Sequence, residues 1–309
     1  MMVEKCVRLV ADFGGTRVKY GLVRDGAVVD QDNFEVIERL SFAAQCEPLR
    51  AGFLKLLEKN GLSLGDCSGL GIGLPTLISA DCKSVTRTFQ KFDDLVGFDV
   101  QAWSLGAFGL ACDLENDARA ALIGEWQHGA GRGLDNIFML TLGTGCGTAV
   151  ILEGKPIRGF SGMAGNMGGH SITHRDGEEC WCGNRGCLEA QVASWALDSH
   201  ARRHDEFSTS KLAELAAVDY RAVFELAQEG DSLAVKLRDK AIDTWAAVIL
   251  NGISFFDPER VIVGGGIMAS ADIILPALQK TVDGHAIQVA GPVQIVAAEL
   301  GDGAALVGV

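Results

Sequence analysis

The stretch Asp12-Phe13-Gly14-Gly15-Thr16 joins two apolar runs, Val7–Val10 and Val18–Val23, and the turn Asp25-Gly26 follows the second run. Short runs rich in β-branched residues, bounded by glycine-rich turns, are typical of β-hairpins. The sequence therefore predicts that the chain opens with an antiparallel meander whose first bend is rich in glycine.

The same pattern occurs a second time. Phe138–Leu142 leads into Gly143-Thr144-Gly145-Cys146-Gly147, and Thr148–Leu152 ends at the turn Glu153-Gly154. Two copies of one meander indicate two similar lobes that face each other across a cleft, although two such hairpins can also arise by chance in a chain of this length.

Helices are expected between the strand segments. Apolar residues recur at helical spacing over 41–60, 116–127 and 233–256, and a further strand is expected at Val261–Val263. Strands that alternate with helices predict an α/β protein with mostly parallel or mixed sheets.

The composition excludes several classes of function. The chain has 309 residues, 48% of them hydrophobic, and a formal net charge of −13, which repels phosphate backbones and anionic lipids. No apolar run reaches the roughly 18 residues of a membrane span. Met1–Lys5 does not resemble the start of a secretory signal, and nine unevenly spaced cysteines fit a reducing compartment. We therefore expect a cytoplasmic protein that binds neither nucleic acid nor a membrane.

Three glycine bends are candidates for nucleotide binding. Gly14 and Gly15 leave backbone N–H groups open to phosphate oxygens, Thr16 offers a hydroxyl, and Asp12 could hold Mg²⁺ directly or through water. Gly143-Thr144-Gly145 is a second bend of this kind, and a flat ring such as adenine could lie on Gly264–Gly266. Plain tight turns and close packing of a helix on a strand are the alternatives.

Glu115-Asn116-Asp117-Ala118 stands where a strand is expected to pass into a helix. Asn116 or Asp117 would cap that helix. Asp117 is also expected at an exposed cleft edge, where its carboxylate could take the proton of a hydroxyl that attacks a phosphoryl group. Asn116 could orient that hydroxyl.

A cluster of metal-binding residue types follows. His170, Cys180, Cys182 and Cys187 offer one imidazole and three thiols, enough for a closed tetrahedral zinc site, and the glycines at 183 and 186 suit a tight turn between the thiols. A redox pair of cysteines beside an unrelated histidine is the alternative. We call residues 180–187 the knuckle.

With these motifs assembled, the chain resembles the ROK family (repressor, open reading frame, kinase) of bacterial sugar kinases and sugar-responsive regulators. The motifs that carry the resemblance are Asp12-Phe-Gly-Gly-Thr, Gly71-Ile-Gly-Leu-Pro, Glu115-Asn-Asp-Ala, Leu142-Gly-Thr-Gly, His170 with the knuckle, and the closing segment 300–308. The resemblance implies a ribonuclease H-like, actin-like ATPase fold. It also implies a small lobe of residues 1–117 plus about 298–309 and a large lobe of residues 118–297 that holds the knuckle.

The resemblance also assigns roles to residues. Asp117 resembles the catalytic base, and the expected sugar contacts are Gly73, Asn116, Asp117, His170 and Glu189. The expected ATP contacts are Asp12, Gly14, Gly15, Thr16, Lys19, Gly143, Thr144, Gly145, Gly264, Gly265 and Gly266. The expected metals are Mg²⁺ near Asp12 and a structural zinc ion on His170, Cys180, Cys182 and Cys187, which would fix the loop that presents His170 and Glu189. Relatives of this kind are commonly dimers or tetramers.

Two stretches depart from the family pattern. The family commonly reads Glu-x-Gly-His at the zinc histidine, whereas this chain has Asn166 or Met167 at the position of the glutamate. Thr88–Phe92 stands where many relatives carry Asn-Leu-Pro-Gly-Trp. Glucose, N-acetylmannosamine, N-acetylglucosamine, fructose and allose therefore all remain candidate substrates.

Three functions are considered. The first is an ATP-dependent hexose kinase, either glucokinase-like or specific for N-acetylhexosamines. The second is a sugar-sensing regulator of the same family, which the acidic charge and the eleven residues ahead of Asp12 disfavour. The third is an actin-like ATPase without a small substrate, which the knuckle and Glu189 disfavour.

Overall fold

The computed structural model describes residues 7–309, and the expectation for Met1–Lys5 lies outside this range. The strands in chain order are β1 (Val7–Phe13), β2 (Arg17–Arg24), β3 (Ala27–Glu35), β4 (Cys67–Leu74), β5 (Leu77–Ile78), β6 (Val85–Arg87), β7 (Cys112–Asn116), β8 (Ile137–Leu142), β9 (Cys146–Leu152), β10 (Lys155–Pro156), β11 (Arg260–Gly264) and β12 (Gln294–Ala297). The α-helices are α1 (Ala43–Lys59), α2 (Val100–Phe108), α3 (Asp117–His128), α4 (Leu188–Val192), α5 (Ser194–Arg203), α6 (Tyr220–Gln228), α7 (Ser232–Phe256), α8 (Ala271–His285) and α9 (Ala304–Val307).

Two five-stranded sheets share one topology. The first has the order β3-β2-β1-β4-β7, and the second has the order β10-β9-β8-β11-β12. In each sheet an antiparallel hairpin, β1–β2 or β8–β9, is extended by two parallel strands on the side of its first strand. The duplication expected from the two meanders is confirmed, and it includes two further strands in each sheet.

The polar-glycine turns of the two meanders have matching backbone geometry. Asp25 and Gly26 have φ of 51° and 75°, and Glu153 and Gly154 have φ of 52° and 67°. Two consecutive residues with positive φ form the type I′ turn that suits the twist of a two-residue hairpin, and glycine adopts this geometry without strain. Local sequence therefore determines both hairpins.

The long helix α7 follows the predicted pattern. The side chain of Asp231 caps it by accepting a hydrogen bond from the N–H of Ala234, and Asp257, just before Pro258, leaves the helix with φ of 44°. Its apolar face, which includes Trp245, is buried in the core of its unit. Although α7 spans 25 residues, no helix within residues 7–309 combines the length and the hydropathy of a membrane span.

The chain divides into two compact units. The first runs to Gly133 and includes 156–164 and 299–309, and the second comprises 134–155 and 165–298. This division differs from the expected lobes in assigning residues 118–133, which include nearly all of helix α3, and residues 156–164 to the first unit. Helix α3 belongs there because it packs so closely on α9 that a Cβ atom at Gly124 would lie 2.2 Å from the carbonyl oxygen of Ala304. The 156–164 segment is tied to this unit by the ion pair of Arg158 with Glu115.

Each unit has its own apolar core. In the first unit, aromatic rings contact one another in a chain between the sheet and helices α1 and α2, which runs through Phe13, Phe42, Trp103, Phe108, Phe53 and Tyr20. Phe98 joins this chain at Phe42. In the second unit, the fully buried ring of Trp245 packs against Tyr220 with 5.4 Å between centroids. These cores hold the strand ends that carry the candidate site.

Candidate active site

The first turn of α3 carries the predicted catalytic base. Asn116 caps the helix, because its Oδ1 accepts hydrogen bonds from the N–H groups of Ala118 at 3.0 Å and Arg119 at 3.2 Å. Asp117 is the first residue of the helix, and its Oδ1 accepts a hydrogen bond from the N–H of Ala118 at 2.8 Å. The expected capping role of Asn116 is present, and Asp117 lies at the positive end of the helix.

The side chain of Asp117 is half-buried rather than exposed, which corrects the expectation from sequence. The reason is that α3 folds back against β4 and β7. Burial raises the pKa of Asp117, while the N–H of Ala118 and the positive charge of Lys91 oppose the shift. A carboxylate whose pKa lies above the usual range is better matched to accept a hydroxyl proton.

Neighbouring parallel strands bring the predicted residues of the first unit to one sheet edge. Asp12 pairs with Gly73 across β1 and β4, and Gly73 pairs with Glu115 across β4 and β7. Carboxyl ends of parallel strands meet at the same edge of a sheet. The magnesium candidate Asp12, the sugar candidate Gly73 and the pair Asn116–Asp117 therefore lie together.

The carboxyl group of Asp12 has a strongly shifted pKa. Burial and then the negative charge of Asp117 raise the pKa of Asp12 to about 7, against the opposing charge of Lys19. The group is therefore divided between its two protonation states near neutral pH, and a bound cation would favour the ionised state.

Asp12→Asn is expected to stabilise the ligand-free protein at neutral and alkaline pH. The folded-state pKa of about 7 lies above the ordinary value of 3.8, so the wild type loses stability as the pH rises between these values. The amide does not ionise, so the variant's advantage in melting temperature should grow between about pH 4 and about pH 7 and then level off. Thermal unfolding across this range measures it, with the exposed Asp93→Asn as the control. If the difference in melting temperature between Asp12→Asn and the wild type shrank as the pH rose, the raised pKa of Asp12 would be contradicted.

The first glycine bend is tight and open to solvent. The N–H of Gly14 donates to the carbonyl oxygen of Arg17 at 2.9 Å, which closes the turn. Lys19 lies beyond it, with its Nζ 3.1 Å from Oδ1 of Asp302. The bend faces a groove of about 670 Å³ lined by Gly15, Thr16, Arg17, Glu35, Val36 and Arg39. An anionic group can therefore reach the bend.

A buried ion network supports the head of α3, and the sequence analysis missed it. Glu115 accepts hydrogen bonds from Arg119 at 2.9 Å and from Arg158 at 2.6 Å. Arg119 also donates to the carbonyl oxygens of Gly162 at 2.8 Å and Ala164 at 3.1 Å. The network joins the 156–164 segment to the residues beside the candidate base. The one available signal was the i,i+4 spacing of a glutamate and an arginine.

The two glycine bends of the second unit follow adjacent parallel strands, β8 and β11. Gly264–Gly266 lies so close to Gly143–Gly145 that a Cβ atom at Gly265 would lie 2.2 Å from the carbonyl oxygen of Leu142. The third bend therefore packs closely on the end of β8, and this packing was the alternative considered to nucleotide binding. It also places both predicted nucleotide bends at one edge of the second sheet.

The structure brings together the four predicted metal ligands. One donor atom from each of His170, Cys180, Cys182 and Cys187 lies within 4.8 Å of the others. Sγ of Cys180 is 3.5 Å from Nδ1 of His170, and the sulfur atoms of Cys182 and Cys187 are 3.6 Å apart. Tetrahedral zinc, with Zn–S of about 2.3 Å and Zn–N of about 2.0 Å, separates its ligands by about 3.5–3.8 Å. The donor set and its spacing fit zinc.

The backbone of the knuckle requires glycine at position 186. Gly186 has φ of 81°, and a Cβ atom there would lie 1.6 Å from the carbonyl oxygen of His174. No other residue type fits this approach without moving the loop. The tight turn expected from the sequence is therefore present.

Glu189 links the knuckle to the second glycine bend. Its Oε2 accepts the N–H of Cys146 at 3.0 Å, and its Oε1 accepts Nε1–H of Trp181 at 2.7 Å. The indole of Trp181 also meets the ring of His170 edge-on at 4.7 Å. The sequence analysis did not single out Trp181, since one exposed-looking indole between cysteines carries no pattern. The sugar contact expected of Glu189 remains a prediction.

The departure from the family pattern lies in the turn that leads into the knuckle. Asn166 is buried, and its Nδ2 donates to the carbonyl oxygen of Thr148 on β9 at 3.3 Å. Met167 is half-buried and begins the 3₁₀ turn that ends at His170. An amide or a thioether, depending on the alignment, therefore stands at the position where the resemblance implies a carboxylate.

Comparison with known proteins identifies relatives along nearly the whole chain. The model of the ROK family matches residues 9–309. A glucokinase of Thermotoga maritima is 30% identical over 306 residues, which cover 96% of this chain and 94% of that protein.

Solved structures agree with this result. A ROK family glucokinase from Streptomyces griseus in complex with glucose and AMPPNP superposes with a TM-score of 0.81 at 27% identity, covering 98% of this chain and 97% of that one. A ROK hexokinase from Thermus thermophilus superposes with a TM-score of 0.77, also at 27% identity, covering 98% of this chain and 96% of that one. The two five-stranded sheets therefore have the actin-like ATPase fold predicted from the sequence.

Proposed function

Since the chain belongs to the ROK family, we infer that it is an ATP-dependent hexose kinase that transfers the γ-phosphoryl group to a sugar hydroxyl. The supporting observation within the structure is the register of β1, β4 and β7. That register places Asp12, Gly73 and Asn116–Asp117 at one sheet edge, next to the phosphate bend Gly14–Thr16.

In the first unit we assign Asp117 as the general base. It would take the proton of the sugar hydroxyl while the oxygen of that hydroxyl attacks the γ-phosphorus. The N–H of Gly14 is already bonded to Arg17, contrary to the expectation from sequence, so the N–H groups of Gly15 and Thr16 would bind phosphate oxygens. Lys19 would add positive charge. Asp12 would hold Mg²⁺, which neutralises phosphate charge when bound. The raised pKa of Asp12 supports this role, since a bound cation would add positive charge beside a carboxyl group that burial and Asp117 keep partly protonated.

In the second unit we assign Gly143–Gly145 to the phosphates and Gly264–Gly266 to adenosine. His170 and the three cysteines of the knuckle would bind a structural zinc ion. The ion would keep His170 and Glu189 in place as sugar contacts, without touching the phosphate. The ligand spacing of 3.5 and 3.6 Å supports this assignment.

For the acceptor we propose an aldohexose of the glucose type. Two of the similar proteins described above are glucokinases, one of which was crystallised with glucose. An N-acetylhexosamine is the second candidate, because Asn166 or Met167 stands in place of the carboxylate that the family commonly has. A site that hydrogen-bonds hydroxyl groups discriminates strongly between sugars.

The regulator alternative has less support. The match to the Thermotoga maritima glucokinase covers 96% of this chain and 94% of that enzyme. The expected cytoplasmic location, the expected homo-oligomer and the absence of nucleic-acid binding stay predictions.

The test is a coupled assay of ADP release over a panel of hexoses and N-acetylhexosamines. We expect ADP release that depends on one sugar, with glucose among the best acceptors. Release at the same rate without any sugar would contradict the proposal and favour an ATPase without a small substrate.

A further inference from the structure

A short segment beside the phosphate bend is held in an unusual backbone conformation. Gln90 and Phe92 have φ of 57° and 51°, which is the left-handed region that residues other than glycine seldom adopt. Such conformations persist where the surroundings determine them fully, and they occur often at functional sites. Lys91 lies between these two residues.

Contacts on both sides of the backbone fix this segment. The N–H of Phe92 donates to the carbonyl oxygen of Arg39 at 2.9 Å, and the N–H of Asp93 donates to that of Leu40 at 2.8 Å. The ring of Phe92 is buried and meets Phe13 edge-on at 5.4 Å. The direction in which the segment presents Lys91 is therefore determined by the core.

Lys91 extends to the phosphate bend. A Cβ atom at Gly15 would lie 3.2 Å from Nζ of Lys91 and 3.4 Å from its Cε. The ammonium group thus occupies the space directly beside a glycine whose missing side chain leaves the backbone open. The same charge acts on the carboxylate of Asp117, the candidate base.

Lys19 and Lys91 differ in how their charges are balanced. Lys19 is paired with Asp302, whereas Lys91 makes no ion pair within 4.0 Å in the part of the chain described here. A half-buried ammonium group without an ion pair, placed beside bare backbone N–H groups, is suited to phosphate.

We propose that Lys91 is a catalytic residue that binds the γ-phosphoryl group of ATP above Gly15 and neutralises its charge during transfer. The proposal rests on the kinase function proposed above. The sugar oxygen forms a bond to the γ-phosphorus, and the hydroxyl proton passes to Asp117. The bond between the γ-phosphorus and the bridging oxygen breaks, and its electron pair leaves with ADP. Lys91 stays protonated throughout.

The test compares Lys91→Met, Lys91→Arg and wild type, with the exposed Lys55→Met of the same unit as the matched control. Lys91→Met should lower kcat by about 10²–10³-fold, the usual loss for one group that stabilises transition-state charge. Its Kd for AMP-PNP should rise at least tenfold while its Kd for ADP changes less than about threefold, because only the third phosphate loses a contact. Lys91→Arg should show smaller changes in kcat and in the Kd for AMP-PNP than Lys91→Met. Lys55→Met should change neither quantity.

An unchanged ratio of AMP-PNP to ADP affinity in Lys91→Met would overturn the proposal, whatever happens to kcat. If that unchanged ratio came with a shifted acid limb of the pH–rate profile, Lys91 would act on Asp117 alone and be a positioning residue. If the wild type released no ADP in response to any sugar, the proposed function would fail. The two binding measurements would still decide whether Lys91 contacts the terminal phosphate.

Discussion

Asp117→Asn is expected to lower kcat for sugar phosphorylation by about 10²–10⁴-fold, the contribution usual for general base catalysis. The amide cannot accept the hydroxyl proton, yet it has the same shape and can still accept the N–H of Ala118 at the head of α3. Dissociation constants for nucleotide and sugar should therefore stay within about threefold of the wild-type values. Steady-state kinetics with equilibrium binding measures both.

The control for this variant is Asp113→Asn on β7, the strand that leads into α3. Asp113 is exposed and pairs with Arg8 and Lys83, so its loss should leave kcat within about twofold of the wild-type value.

The wild type should lose activity on acidification at a pH above the ordinary range of aspartate, because burial raises the pKa of Asp117 and the base must be ionised. Normal turnover by Asp117→Asn would show that another group accepts the proton.

Cys182→Ala is expected to remove zinc and to weaken sugar binding more than nucleotide binding. Cys182 is half-buried, so its replacement leaves no closed cavity, and the effect comes from the lost ligand. Without the ion, the loop that carries His170 and Glu189 is no longer fixed, and KM for the sugar should rise by about 10–100-fold. KM for ATP should change less than about threefold, since the phosphate bends lie on other loops.

Metal analysis of the purified protein accompanies these kinetics. The wild type should hold about one zinc ion per chain, Cys182→Ala much less, and the control Cys67→Ala as much as the wild type. A wild type without zinc would refute the metal assignment. Equal increases in KM for sugar and ATP would instead show that the knuckle stabilises the whole unit.

Local sequence was enough to predict the elements that carry the site. The turn at Asp25-Gly26, the cap at Asn116 and the end of α7 at Asp257 each depend on a few adjacent residues. The ligand cluster was also predictable, because three of its four members lie within eight residues of one another and Gly186 permits the turn. Such features need no knowledge of distant contacts.

Features that depend on contacts between distant parts of the chain could not be predicted from local sequence. Arg158 reaches Glu115 from 43 positions away, and the 90–93 segment is fixed by Arg39 and Leu40 on another part of the chain. The half-burial of Asp117 likewise follows from how α3 packs and not from its own sequence. Position 91 looked like a simple departure from a family motif until the structure placed its ammonium group beside Gly15.

The most direct test of the account is a crystal structure with AMP-PNP and the sugar that the panel identifies. We expect one carboxylate oxygen of Asp117 within about 2.6–3.2 Å of a sugar hydroxyl, and that hydroxyl oxygen about 3–3.5 Å from the γ-phosphorus in line with the bond to be broken. A bound sugar whose hydroxyls all lie beyond the reach of Asp117 would contradict its role as the base.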